Sequence, residues 1–187
     1  MGVLEVYLAR HGETEWSVSG RHTGGTDLPL TAQGEQKAAA LRPRLAAIQF
    51  DLVFSSPLQR ARRTAELAGF PDPKITPLLK EVDYGEYEGL TSKAIHETNP
   101  SWELYSDGSP GGETPAQIYT RAQQFIALAA ASGGRVLAFA HGHILRAVAA
   151  AWIHADVTIA GGLLLDVATL SVMRDDGHRL ITLWNAP

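Results

Sequence analysis

Residues 3–16 read Val3-Leu4-Glu5-Val6-Tyr7-Leu8-Ala9-Arg10-His11-Gly12-Glu13-Thr14-Glu15-Trp16. The run Val3 to Ala9 is short and largely apolar, which predicts a buried strand. It stops at a cation, an imidazole and a glycine. A strand that ends this way puts polar side chains at one edge of a sheet, where α/β proteins bind their ligands.

Working outward, two more strands end in the same manner. Asp51 to Phe54 stops at Ser55-Ser56-Pro57, and Arg135 to Ala140 stops at His141-Gly142-His143. Helical patterns alternate with them. Thr31 reads as an N-cap before a helix through Ala38, Leu41, Leu45 and Ile48, which Pro43 should kink or split. Further helices are expected over Leu58 to Ala68, stopped at Gly69, and over Thr114 to Ala131 and Ile144 to Ile153. Ile75 to Leu79 is a candidate third strand. Leu163 to Val167, Leu170 to Met173 and Leu180 to Trp184 read as closing strands. Tyr84 to Gly112 is rich in Gly, Ser, Asp and Pro, with a short helix near Ser92 to Glu97; long irregular segments of this kind often carry function. The alternation predicts an α/β fold: a three-layer sandwich with a mostly parallel sheet and helices on both faces, formed by one domain over residues 1–187.

The bulk numbers narrow the function. The chain has 187 residues, 45% hydrophobic, with net charge −4. It lacks the overall basic field of a general nucleic-acid binder, so no nucleic-acid partner is expected. It contains no cysteine, which excludes thiolate nucleophiles and Cys-ligated metals and fits a cytoplasmic protein. Its longest apolar stretch, around Ala147 to Ile153, is too short to span a bilayer, so no membrane partner is expected.

The chemistry lies in motifs that follow one another along the chain. Arg10-His11-Gly12-Glu13-Thr14-Glu15-Trp16 is the first. Thr23-Gly24, Asp27, Leu28-Pro29-Leu30-Thr31 and Gly34 follow it. Ser56-Pro57-Leu58-Gln59-Arg60-Ala61 with Thr64-Ala65 comes next, then Glu81 with Tyr84-Gly85 and Glu88-Gly89. Gly112-Glu113-Thr114 precedes the long helix, and His141-Gly142 with Arg146 closes the set. Together they resemble the histidine phosphatase superfamily, also called phosphoglycerate-mutase-like, over nearly the whole chain.

That resemblance implies a phosphomonoesterase in which His11 becomes phosphorylated and is then freed by water. Arg10, Arg60 and His141 supply groups that neutralise phosphoryl oxygens, for which the planar, permanently charged arginine fork is well suited. Two neighbouring arginines should keep His11 unprotonated and therefore nucleophilic. Glu81 matches the general acid and base, a role that asks for a raised pKa. Thr23, Gly24, Ser56, Tyr84, Gly142 and Arg146 are the carried-over substrate-binding positions. For several of them a structural role competes: helix capping for Ser56, a surface charge for Arg146. At least one of Arg62 and Arg63 should be a solvated surface charge.

Within the superfamily, Gly20, Thr26-Asp27, Tyr84-Gly85-x-Tyr87-Glu88-Gly89 and His141-Gly142-His143-x-x-Arg146 look like the branch of sedoheptulose-1,7-bisphosphatases and broad acid phosphatases. The segment between Glu81 and His141 is modest in length, which favours a phosphatase over the runner-up, a cofactor-dependent phosphoglycerate mutase. A third reading, a catalytically idle binding protein on the same fold, fits poorly with the intact set of His11, Arg10, Arg60, Glu81 and His141. The expected partner is a small-molecule phosphate ester, with no cofactor. Four histidines, His11, His22, His141 and His143, are enough imidazole for a divalent metal, but the arginines repel cations and no metal is expected. His22 departs from the pattern of relatives. The oligomeric state is open.

Overall fold

The computed structural model describes residues 3–187; residues 1 and 2, the start of the expected 1–187 domain, lie outside the described residues. The strands are β1 (Leu4–Arg10), β2 (Leu52–Ser55), β3 (Lys74–Ile75), β4 (Arg135–Ala140), β5 (Leu170–Asp175) and β6 (Arg179–Ala186). They make one mixed sheet in the order β3-β2-β4-β1-β5-β6. β1, β2, β3 and β4 run parallel, and β5 and β6 pair antiparallel at the far side.

The helices are α1 (Glu15–Ser19), α2 (Ala32–Ala40), α3 (Arg42–Leu45), α4 (Gln59–Leu67), α5 (Ser92–Thr98), α6 (Leu104–Asp107), α7 (Pro115–Ser132) and α8 (Gly142–Trp152). The strand period of two sorts the core into layers. Val6, Leu8, Val136, Ala138 and Ala140 face α7 and α8, burying Ile118, Phe125, Leu145, Val148 and Trp152. Ala9, Leu137 and Phe139 face the other way, against Leu41, Leu45, Ala65 and Ala68 of the α2 to α4 side. Helices therefore cover both faces. The helices that follow β1 and β4 lie on opposite faces, so a crevice opens at the C-terminal ends of these adjacent strands.

Local signals explain most boundaries. The Thr31 hydroxyl accepts from the Gly34 N–H. Thr114 and Gln117 form a capping box, and Pro115 occupies the first turn of α7. Pro43 does split the second helical segment: α2 stops at Ala40, and a separate short turn holds Arg42–Leu45.

Two expected strands are corrected. Over Ile75 to Leu79 only Lys74–Ile75 pairs with β2. The Thr76 hydroxyl accepts from Leu78 N–H, and Pro77 starts a 3₁₀ turn over Pro77–Leu79. Leu163 to Val167 is not a strand. Its carbonyls are taken by side chains: Leu163 O by Arg146 at 3.4 Å, Leu164 O by Trp184 Nε1 at 2.6 Å, and Leu165 O by Arg10. With those acceptors occupied, no ladder forms there. Among the described residues no helix is long and apolar enough to cross a membrane.

Candidate active site

Hydrogen bonds between adjacent strands bring the polar strand ends together. His11 N–H donates to Ala140 O at 2.9 Å and Ser56 N–H to Phe139 O at 3.0 Å. Above them sits a cavity of about 240 Å³ lined by Arg10, His11, Glu81, Tyr84, His143 and Arg146, with Thr23 and His22 on its wall. Gly142 also lines it.

His11 is buried on the floor. Its Nδ1 lies 2.7 Å from the Gly12 carbonyl, which can only accept, so Nδ1 carries the proton and Nε2 keeps its lone pair. Burial, then the charges of Arg10 and Arg60, push the imidazole down to about 3. It is a neutral nucleophile at any ordinary pH.

Arg60 and His141 lie behind the cavity wall, both fully buried. Arg60 Nε–H donates to His141 Nδ1 at 3.0 Å. His141 must then carry its proton on Nε2, which donates to Ser56 Oγ at 2.8 Å. The His141 and His11 rings are 5.0 Å apart. Ser56, expected among substrate contacts, is fully buried and accepts from His141; it orients that ring and does not line the cavity. The His141 imidazole is pushed well below its ordinary value by burial and by Arg60.

The remaining nitrogens of Arg60 are held by one loop. Nη1–H donates to Thr26 O at 2.9 Å, and Nη2–H to Thr23 O at 3.0 Å and Gly24 O at 3.1 Å. That loop is braced from behind by Glu88, whose carboxylate accepts from Gly24 N–H at 2.8 Å and Thr26 N–H at 3.0 Å. Gly24 therefore sits behind the wall while Thr23 reaches it. A Cβ on Gly24 would lie 2.5 Å from Val82 O, so only glycine fits.

Arg10 offers its guanidinium to the cavity. Its Nε is buried with no hydrogen-bond partner. A guanidinium that lines a largely enclosed cavity favours an anion there. Gly142 makes room for it: a Cβ there would meet Arg10 Cζ and Nε at 3.3 Å.

Glu81 departs from expectation. Its carboxylate caps α8, accepting from His143 N–H at 3.0 Å and Ile144 N–H at 2.9 Å, as well as from Val82 N–H at 3.0 Å. Burial alone would raise it, but the amides it accepts from, that of His143 among them, hold it well below the usual carboxylate range. The raised pKa expected of an acid is not found; the helix N-terminus favours the ionised form. The first-turn amides of His143 and Ile144, next to Gly142, are thus taken by this carboxylate.

Arg146 lies at the rim. It donates to Gly142 O at 3.3 Å, and its guanidinium stacks on Tyr105 at 5.6 Å. Tyr84 is buried and bonds His143 Nδ1 at 2.6 Å. The four histidines form two pairs, His11 with His141 and His22 with His143, at ring separations of 5.0 Å and 5.6 Å. Among the described residues no group of three or more His, Asp or Glu side chains converges on a metal-sized point. Trp102 packs edge-on against His22 at 5.5 Å beneath the site and does not cover it.

Several residues escaped sequence reasoning. Arg121 pairs with Glu113 at 2.6 Å and donates to Leu78 O and Lys80 O, clamping the segment that presents Glu81. Arg21 and Leu164 complete the cavity mouth. Glu113 and Glu88 stood inside recognisable motifs, but nothing local announced that their carboxylates hold backbone amides.

The profile of the histidine phosphatase superfamily, branch 1, matches residues 6–187. The chain belongs to this superfamily and is an enzyme of its phosphomonoesterase class. It is 40% identical over 178 residues to an acid phosphatase of Mycobacterium tuberculosis, covering 92% of this chain and 88% of that protein. It is 36% identical to the sedoheptulose 1,7-bisphosphatase of Saccharomyces cerevisiae, covering 78% of this chain and 66% of the yeast protein. Among solved structures, the product of an open reading frame of Mycobacterium tuberculosis superposes with a TM-score of 0.94 at 37% identity, covering 98% of this chain and 97% of the other.

Proposed function

We propose that the protein hydrolyses a small phosphorylated metabolite, a sugar phosphate or bisphosphate, through a phosphohistidine on His11. The observation that carries this reading is the cavity floor. An imidazole with a bare Nε2 stands next to the Arg10 guanidinium, and both line the cavity. One attacks phosphorus and the other receives its oxygens. Names of relatives support the substrate class, since they include an acid phosphatase and a sugar bisphosphatase.

In the first step His11 Nε2 forms a bond to phosphorus as the ester P–O bond breaks. Glu81 passes a proton to the departing oxygen. Because its carboxylate is ionised in the empty site, that proton arrives with the monoanionic ester, whose second ionisation lies near about 6. In the second step water attacks phosphorus and gives its proton to Glu81. The P–N bond breaks, and His11 recovers its lone pair. Arg10 stabilises charge at the cavity wall throughout, and the buried guanidinium of Arg60 adds its charge from behind that wall. Arg60 and His141 also act as one oriented unit.

The test is a rapid acid-free quench with ³²P-labelled substrates drawn from a panel of sugar mono- and bisphosphates, with 3-phosphoglycerate isomerisation run alongside. Expected are phosphate release and an acid-labile label on His11 that is absent from His11→Ala. Primer-dependent isomerisation with little release would instead assign a mutase. Binding without turnover would assign an idle binding protein.

A further inference from the structure

The His143 amide holds Glu81, but its imidazole has no role in the steps above, although the side chain is 21% exposed and lines the cavity. Its Nδ1 is 2.6 Å from Tyr84 Oη and 3.8 Å from Glu81 Oε2. The second distance is too long for a hydrogen bond, so Tyr84 is its partner.

Donor accounting sets the direction of that bond. Tyr84 is 1% exposed, and among the described residues His143 Nδ1 is the one group within hydrogen-bond reach of its hydroxyl. If Nδ1 carried the proton, the Tyr84 O–H would be left buried without an acceptor, which is costly. The O–H therefore donates to a bare Nδ1, and the ring proton sits on Nε2. No described protein group pairs with Nε2, and it is not among the buried atoms left without a partner, so it is open to the cavity. The ring is flanked by two others, His22 at 5.6 Å and Tyr105 at 5.9 Å between centroids.

We propose that His143 is a specificity-determining residue whose Nε2–H, held in that tautomer by Tyr84, donates a hydrogen bond to a hydroxyl oxygen of a polyhydroxylated phosphate ester. This rests on the proposed phosphatase reading and extends it from the phosphoryl group to the rest of the substrate. A neutral donor suits a neutral oxygen, and Tyr84, Thr23 and His22 add neutral polar groups to a lining whose charges are Arg10, Arg21, Arg146 and Glu81. Burial and the charge of Arg146 keep the imidazole uncharged, down to about 4. Tyr84 is a positioning residue in this arrangement.

The experiment compares kcat/KM for ribose 5-phosphate, fructose 1,6-bisphosphate and glycerol 3-phosphate with that for 4-nitrophenyl phosphate, which has no aliphatic hydroxyl. The ratio of the best polyol ester to the aryl ester should fall about threefold to tenfold in His143→Leu, mainly through KM. His143→Gln, which restores a donor near the Nε2 position, should recover it. Tyr84→Phe should lower it in the same direction. Imidazole ¹⁵N NMR of the free wild-type protein should show the His143 proton on Nε2, with a mixed tautomer in Tyr84→Phe. A ratio unchanged in His143→Leu, or a proton on Nδ1, overturns the proposal while leaving the phosphatase reading intact. A wild type that turns over the aryl ester and none of the polyol esters overturns both the substrate class and the proposal.

Discussion

Arg60 Nε and His141 Nδ1 are joined by a 3.0 Å hydrogen bond inside a fully buried pair. Each fixes the other: the arginine decides the tautomer of the imidazole, and the imidazole aims the guanidinium. Lysine carries a single ammonium and cannot hold both His141 and the loop carbonyls of Thr23, Gly24 and Thr26. Arg60→Lys should therefore lower kcat by about 10² to 10³-fold. Steady-state kinetics with the protein's melting curve alongside checks this; a fully folded variant within threefold of wild type would refute the pairing as a catalytic unit.

Glu81 is gripped by the amides of His143 and Ile144 at the start of α8. Glu81→Gln presents an N–H to those donors and removes the proton carrier. A loss of about 10² to 10⁴-fold is expected on alkyl phosphates. The loss should be smaller on 4-nitrophenyl phosphate, whose leaving group departs without a proton. Equal losses on both esters would assign Glu81 to structure alone.

Acid should destabilise the empty protein before it stops the nucleophile. His11 is pushed down to about 3 and His143 to about 4 from an unfolded value of 6.5. Between those limits the unfolded chain binds more protons than the folded one. Stability is then full above about pH 6.5 and falls as pH drops, by up to about 1.4 kcal/mol per pH unit for each such histidine. Glu81, also held low in the fold, adds a loss of the same sign below its own unfolded pKa. Thermal melts in phosphate-free buffer from pH 7.5 to 4.5 should show a steady decline in Tm; a flat profile would contradict the buried neutral histidines.

Gly24→Ala places a methyl 2.5 Å from Val82 O and 2.8 Å from the Glu88 carboxylate. Neither the backbone nor the bracing carboxylate can yield without moving the carbonyls that hold Arg60. A destabilisation of about 1–3 kcal/mol is expected, together with lost turnover. Urea denaturation and activity on the same preparation check both.

Much of this was legible before the structure. The apolar runs ending at Arg10-His11, Ser55-Ser56 and His141-Gly142 announced parallel strands and the side chains at their tips, because burial on both faces leaves a continuous apolar signature. The failures have a common cause. Leu163 to Val167 looks like a strand, since Leu165 is buried, yet its carbonyls serve Arg10, Arg146 and Trp184. Thr76-Pro77 carried a turn signal that the apolar residues around it obscured. The low pKa of Glu81 arises from amides some sixty residues away, with separations of 62 and 63 positions. The Glu88 brace spans a similar gap. Periodicity reports local structure and burial; it carries no information on which distant amide a carboxylate will find.

β1 has consequences for how the molecule comes into being. It lies between β4 and β5, and Glu5 meets Arg135 across 130 positions of chain. During synthesis the segment bearing Arg10 and His11 is made well before β4 and β5, and it has no partner on either side until residues 135–140 and 170–175 have followed. Its pairing is the long-range, slow kind that closes large loops. A ribosome-bound fragment ending before β4 holds the nucleophile without the imidazole that orients Arg60 and without either neighbour strand. Catalytic competence thus waits for β4 and β5, and the unpaired edges of β1 are what a nascent chain must keep from aggregating until then.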